Sequence, residues 1–312
     1  YAEAHNSLGL ALRDLGKRED AAASYGNALA IKPDYLEAHN NLGNALQDLG
    51  KLEKAVASYR KALRLNPKFA MVHYNLGNAL RDLGKLEEAI ASYQKAIALK
   101  SDFADAHNNL GLALQELGKL EEAVANYHKA LNLKPNYAKA HYNLGNALQD
   151  LGKPEEAVTS YHKALAIKPD FAEAHNNLGG ALRELGKLEE AIAHHQTALK
   201  LRPDWPEVHS NVLLMEQYRS KHNTETLYKL HCEWDQCHGS VRAAEWHRHR
   251  NSPGLDRRLR IGFVSSDLGR HPVGYFAVGL LENLPKTEIE TFVYADRRTD
   301  DLMERIKDAT DI

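Results

Sequence analysis

Cysteine is almost missing from this chain: Cys232 and Cys237 are the two among 312 residues. No disulfide framework can hold the fold together, and such usage fits a reducing compartment, so a cytoplasmic protein is expected. On one helix the two sulfurs would point to different sides, which argues against a bond between them. His231 and His238 complete the string HCEWDQCH, yet ligands wrapped around a straight helix cannot converge on one ion; neither a metal nor a cofactor is expected. Long apolar runs are missing too: nothing approaches the ~20 residues of a bilayer span, and no membrane partner is expected. Nor does one sign of charge prevail. Forty Lys and Arg against forty-two Asp and Glu give a formal net charge of -2, so no global field draws nucleic acid to the surface. A signal peptide and an initiator Met are both lacking, and Tyr1 falls between two repeats, which reads as a trimmed boundary with further repeats upstream.

What is present is one sentence written six times, 34 residues apart, from YAEAHNSLGLALRDLGKREDAAASYGNALAIKPD at Tyr1 to FAEAHNNLGGALRELGKLEEAIAHHQTALKLRPD ending at Asp204. A fixed period of that length means a solenoid, because one unit cannot bury its own apolar face and must stack on its neighbours. Each copy opens on an aromatic (Tyr1, Tyr35, Phe69, Phe103, Tyr137, Phe171) and runs apolar residues at helical spacing. It then stops at a Gly before Lys (Gly16, Gly50, Gly84, Gly118, Gly152, Gly186). A second Ala- and Leu-rich helix ends at Pro33, Pro67, Pro135, Pro169 or Pro203, with Ser101 as the one substitution. Every unit is therefore a helical hairpin.

Gly9, Gly43, Gly77, Gly111, Gly145 and Gly179 fall inside the first helices, where each costs ~1 kcal/mol relative to Ala. Small residues of the second helix, such as Ala21, Ala28, Ala55 and Ala62, point to helices that cross closely. With Leu42, Gly43, Ala55, Tyr59, Ala62 and Pro67, the second copy closely resembles the tetratricopeptide repeat. The departures are His near the start of each first helix and His195 where earlier copies have Tyr. The resemblance implies a mainly α, right-handed superhelical solenoid over residues 1–204.

After it, residues 205–258 read as a partial seventh repeat opening at Trp205 and Pro206, capping helix from about Asn223 to His249, and a turn or linker at Asn251 to Gly254. From Leu259 the period changes. RLRIGFV is strand-like, SSDLGRHPVG a loop, Tyr275 to Leu284 helical and IETFVYA strand-like again, with a last helix near Asp300. Strand, helix, strand, helix opens a doubly wound parallel sheet over residues 259–312. With no further strands to complete that sheet, these residues are expected to pack poorly, pair with another copy or lie against the array.

Glu37, Asn41, Asn44 and Asp48 share the polar face of a first helix. Asn41, Asn75, Asn109, Asn143, Asn177 and Asn211 recur at one register, with Ser7 in the first copy. A side chain offering carbonyl and amide together can read the main chain of an extended peptide; it can equally bond a neighbouring repeat and stabilise the superhelix. Both readings stay open. Asp14, Asp48, Asp82, Glu116, Asp150 and Glu184 add an acid per repeat, favouring polar or basic guests unless Arg13, Arg81 and Arg183 neutralise them. His5, His39, His73, His107, His141, His175 and His209 also recur. Equivalent residues on stacked helices sit about 8 to 10 Å apart, too far to share an ion, so structural histidines are expected.

LRIGFVSSDLGRHPVGYF and a following strand ending in FVYA resemble the start of the catalytic region of O-linked N-acetylglucosamine transferases and their bacterial and Spindly-type relatives. So does the order of parts. That resemblance implies the first edge of a GT-B glycosyltransferase lobe, with Ile312 as a second cut, and an asparagine ladder at Asn41, Asn75, Asn109, Asn143, Asn177 and Asn211 holding protein substrates. It also implies His271 as an active-cleft histidine, and UDP-GlcNAc as donor of an intact parent whose second lobe would bind it. Ser265, Ser266 and Gly269 make only a weak phosphate loop, without a G-x-G-x-x-G or a P-loop Lys. About fifty residues cannot build such a lobe, so this chain alone is expected to be inactive. The competing expectation is a non-enzymatic scaffold for protein–protein interaction. Extended polypeptide segments are the partners in either case, and homo-oligomerisation stays open.

Overall fold

The computed structural model describes residues 1–219, 224–239, 258–264, 272–294 and 301–310. The chain divides into two compact units, Tyr1–Ala243 and Ala244–Ile312.

In the first unit, first helices of 13 residues alternate with second helices of 14. The first helices are α1 (Ala2–Asp14), α3 (Leu36–Asp48), α5 (Ala70–Asp82), α7 (Ala104–Glu116), α9 (Ala138–Asp150) and α11 (Ala172–Glu184). Their partners are α2 (Arg18–Ile31), α4 (Leu52–Leu65), α6 (Leu86–Leu99), α8 (Leu120–Leu133), α10 (Pro154–Ile167) and α12 (Leu188–Leu201). Each hairpin turns where the sequence places its helix stop. Gly16 has φ +75°, Lys17 N–H reaches Leu12 O at 2.9 Å and Gly16 N–H reaches Arg13 O at 2.9 Å, a Schellman motif that satisfies two orphan carbonyls. Tyr35, Phe103, Tyr137, Phe171 and Trp205 each lie under a cation from the preceding turn: Lys134 Nζ is 4.5 Å from the Tyr137 ring and Arg202 Cζ 4.1 Å from that of Trp205, whereas Asn66 takes the cation's place before Phe69.

Tyr25, Tyr59, Tyr93, Tyr127 and Tyr161, one in each of α2, α4, α6, α8 and α10, are wholly buried and form the axis of the core with Ala21, Ala55, Ala89, Ala123 and Ala157. They also give the physical reason for the mid-helix glycines. A Cβ on Gly43 would lie 2.5 Å from Tyr59 Cε1, and one on Gly111 would lie 2.7 Å from Tyr127 Cε1. The close crossing inferred from the small residues brings the first-helix backbone against a ring of the second helix. First helices also pack on one another, α1 on α3 through to α9 on α11, whereas neighbouring second helices make little contact. The stack therefore closes on its first-helix side and presents that polar face as a groove.

The array continues into α13 (Pro206–Glu216), against which α14 (Thr224–Trp234) packs. Trp234 Nε1–H donates to Pro206 O at 3.5 Å. Beyond it the expected straight helix widens into a π-helical turn, Asp235–Gly239, so Cys232 and Cys237 do not share one regular helix; both are free thiols. Residues 240–257, including the last part of the expected capping stretch and the linker at Asn251 to Gly254, lie outside the described residues.

In the second unit β1 (Leu259–Val264) pairs in parallel with β2 (Ile289–Tyr294), from Leu259 against Ile289 to Val264 against Tyr294. α15 (Pro272–Asn283) makes the crossover and α16 (Asp301–Asp308) follows. Val278, Leu281, Leu302, Met303 and Ile306 form a small core on which Phe263 and Val293 pack. The βαβα order read from the sequence is present. Among the described residues the sheet has these two strands, each the other's parallel neighbour, and α15 and α16 pack on them through that core.

A polar groove on the first helices

Five of the recurring asparagines spend their amides on the preceding repeat, and the residue 35 positions earlier decides how. Where it is Asn6, Asn40 or Asn108, a single bond forms: Asn41 Nδ2 donates to Asn6 Oδ1 at 3.0 Å, Asn75 to Asn40 at 3.1 Å and Asn143 to Asn108 at 3.0 Å. Asn211 makes no such bond, and Asn176 Oδ1 is left buried without a partner. Where it is Tyr, both amide hydrogens are used. Asn109 donates to Tyr74 OH at 3.0 Å and Asn78 Oδ1 at 2.8 Å, and Asn177 donates to Tyr142 OH at 3.1 Å and Asn146 Oδ1 at 2.9 Å. Asn109 and Asn177 also accept from Asn108 and Asn176. Asn41 and Asn75, both half-buried, thus keep an N–H and a carbonyl oxygen for a guest; Asn143 is bonded alike but buried, and Asn109 and Asn177 keep little. Asn211 lines a cleft of about 470 Å³ at the end of the array.

Beside the ladder runs a second chain of bonds. Gln47 donates to Asp82 at 2.9 Å, Gln115 to Asp150 at 2.7 Å and Gln149 to Glu184 at 3.0 Å, always from one repeat to the next. The tyrosine hydroxyls join it from below: Tyr59 OH donates to Asn44 Oδ1 at 2.7 Å, Tyr127 OH to Gln115 Oε1 at 2.9 Å and Tyr161 OH to Asn146 Oδ1 at 2.8 Å. Arg81 lies 3.4 Å from Asp82 and 4.0 Å from Glu116. Several groove acids are therefore occupied within the array, and Gln does most of that work. Sequence reasoning missed this chain, though Gln or Arg at positions 13, 47, 81, 115, 149 and 183 was its signal.

Tyr25 is the exception: Leu10 and Arg13 stand where Asn44 and Gln47 would be, neither side chain can accept, and the buried hydroxyl has no partner. Tyr59→Phe should cost about 1 kcal/mol, whereas Tyr25→Phe should be neutral or slightly stabilising, because an unsatisfied hydroxyl is removed from the core. Urea titration of the two variants checks the contrast; equal losses would refute it.

Four of the recurring histidines fasten the turns between successive hairpins. His39 Nε2–H donates to Pro33 O at 2.8 Å, His73 to Pro67 O at 2.9 Å, His141 to Pro135 O at 3.0 Å and His175 to Pro169 O at 3.1 Å. At Ser101 the pattern lapses, and His107 Nδ1 instead lies 3.2 Å from Asn126 Oδ1. Burial holds His39, His107 and His141 below the usual imidazole range.

His195, in the tyrosine position, is 2 % exposed. Burial, with smaller contributions from Arg183 and His194, pushes it down to about 4 from an ordinary 6.5. It folds neutral, so the stability this gives is complete above pH ~6.5 and is lost as pH falls towards 4, where the unfolded chain takes up the proton first. Denaturant midpoints at pH 7 and 4.5 should fall less in His195→Tyr than in the parent; equal falls would show that this histidine does not contribute.

Among the described residues no group of three His, Cys, Asp or Glu could hold a metal, and no helix is long and apolar enough to cross a membrane. His271, Ser265, Ser266 and Gly269 lie outside the described residues.

Stacked helical hairpins with a polar, hydrogen-bonded groove define a class of repeat solenoid. Residues 9–50, 47–84, 77–118 and 114–152 match the TPR repeat model and residues 142–206 the tetratricopeptide repeat model. The chain belongs to the tetratricopeptide-repeat family. No curated protein matches it. Among solved structures, MamA protein is 30% identical with a TM-score of 0.50, over 55% of this chain and 94% of its own. YrrB, a TPR protein with an unusual peptide-binding site, is 25% identical with a TM-score of 0.51, over 61% of this chain and 98% of its own. Pseudomonas aeruginosa PilF, 23% identical with a TM-score of 0.60 over 67% of this chain and 96% of its own, shares the fold.

Proposed function

We propose that the groove on the first helices holds extended polypeptide segments by their main chain. The observation that carries this is the state of the half-buried Asn41 and Asn75. Each is fixed by one bond to the preceding repeat, which sets its orientation, and each retains a donor and an acceptor for a peptide unit. The likeness to YrrB, described as having a peptide-binding site, supports the reading.

In its finer form this groove recruits substrates for a protein O-glycosyltransferase that moves N-acetylglucosamine from UDP-GlcNAc to Ser or Thr. That form rests on the string LRIGFVSSDLGRHPVGYF, the following strand ending in FVYA and the order of parts. A non-enzymatic scaffold is equally supported, and the bonds between repeats favour it where Asn109 and Asn177 spend both amide hydrogens on the array.

Dye-labelled extended peptides, titrated by fluorescence anisotropy, test the groove. Weak and sequence-tolerant binding is expected, and Asn41→Ala with Asn75→Ala should reduce it several-fold while helical content stays. Undiminished binding in that variant would remove the ladder from the site. Ser- and Thr-rich segments dominating the bound set favour the transferase form; a single defined motif favours the scaffold.

A further inference from the structure

The sixth repeat departs from its predecessors at two groove positions at once: His195 replaces the tyrosine, and Gly180 stands where Asn44, Asn78 and Asn146 stand. Beside them Arg183, like Arg13 and Arg81, takes the place of Gln47, Gln115 and Gln149. The imidazole lies over Gly179 as the tyrosine rings lie over their glycines: a Cβ there would be 2.7 Å from His195 Nε2. It lacks the hydroxyl with which Tyr161 reaches Asn146 and Gln149. A Cβ on Gly180 would meet nothing nearer than Gln149 Nε2 at 3.9 Å. Two polar groups that plug the groove floor elsewhere are therefore missing here, and the cleft of about 470 Å³ opens in their place.

Its walls hold polar groups that the array does not use. Arg81 has Glu116, 35 positions on, whereas that position for Arg183 is Tyr218; Arg183 has no acid partner among the described residues. His195 Nδ1 and Asn176 Oδ1 are buried without partners. An orphaned acceptor is cheaper than an orphaned N–H, so the imidazole proton belongs on Nε2. Asp150 takes one bond from Gln115 and has further acceptor capacity. Donor groups at Arg183 and acceptor groups at Asp150 and Asn211 thus share one cleft. A carboxylate guest would gain Arg183 but face Asp150, and an ammonium would meet the reverse. A carboxamide satisfies both with no net charge.

We infer that this cleft is a side-chain pocket for an Asn or Gln of the extended polypeptide, with its carbonyl towards Arg183 and its NH₂ towards Asp150 and Asn211. The inference rests on the groove reading and adds a sequence preference at one end of an otherwise tolerant site.

Short dye-labelled peptides of Ala, Ser and Thr, carrying Gln, Asn, Ala, Leu or Glu at one guest position, test it against the full chain. Gln and Asn should bind about tenfold more tightly than Ala or Leu, the increment of one charge-assisted hydrogen bond. In the double variant Gly180→Asn with His195→Tyr, which restores what the fifth repeat carries at both positions, that advantage should fall below about twofold. Arg183→Gln, the residue of three other repeats, should lose most of it too and serves if the double variant does not fold. A Gln guest no better than Leu, an advantage that survives these substitutions, or a Glu guest that binds best would each overturn the pocket while leaving the groove standing. Failure of every peptide to bind would overturn the groove reading and the pocket with it.

Discussion

Gly111→Ala is expected to destabilise the array by about 2–3 kcal/mol, although alanine is the better helix former by ~1 kcal/mol. The added methyl would sit 2.7 Å from Tyr127 Cε1 and 2.9 Å from Cδ1, inside contact distance of a ring that is itself wholly buried. Neither partner can yield easily. The methyl is fixed to the α7 backbone, and the ring is held by its hydroxyl on Gln115 at 2.9 Å. Gly26 supplies the control within the same molecule, since it lies inside α2 with nothing within 4 Å of an added Cβ. Gly26→Ala should gain up to ~1 kcal/mol. Urea midpoints moving in opposite directions would establish that the ring, not helix propensity, keeps glycine in the first helices; two stabilised variants would dispose of that account.

The same pair marks how far the sequence could be read. The hairpins, their Gly stops and the stacking follow from local chemistry and a 34-residue period, and α1 to α12 lie where that chemistry places them. The mid-helix glycines announced a close approach but not its partner, because Gly111 and Tyr127 meet only once the hairpin has closed. The groove was harder still. Asn41 to Asn6, Gln47 to Asp82 and Asn143 to Asn108 are all bonds between residues 35 apart. One residue more than the period separates each pair, an offset set by the rotation from one repeat to the next. No pattern within a single copy contains it. The sequence therefore left open whether the asparagines bind a guest or the neighbouring repeat, and the structure divides them: Asn109 and Asn177 are committed to the array, Asn41 and Asn75 only in part. His175 and Pro169 are six residues apart and their contact was legible in principle, as the lapse at Ser101 and His107 signals. In the second unit, parallel strands were read correctly as strands, but pairing depends on a crossover whose return register no local residue states.

Tyr127→Ala should have the largest effect, and its position should govern the form of that effect. Removing a wholly buried aromatic ring costs about 4 kcal/mol through lost burial and the cavity left over Gly111. In a solenoid each repeat is stabilised by its own packing and by its two interfaces, so a weakened fourth repeat also withdraws support from the third and the fifth. The array should then uncouple into segments, with a broadened or two-step denaturation and fast hydrogen exchange concentrated in α7 and α8. Tyr25→Ala deletes the same buried side chain from the first repeat, which has a neighbour on one side in this chain. Its loss should appear as fraying of α1 and α2, leaving the main transition of the remaining repeats close to its original midpoint. Hydrogen exchange followed through urea separates the two cases. If both variants lower one sharp transition by the same amount, the six repeats melt as a single indivisible unit and the nearest-neighbour description fails for this chain.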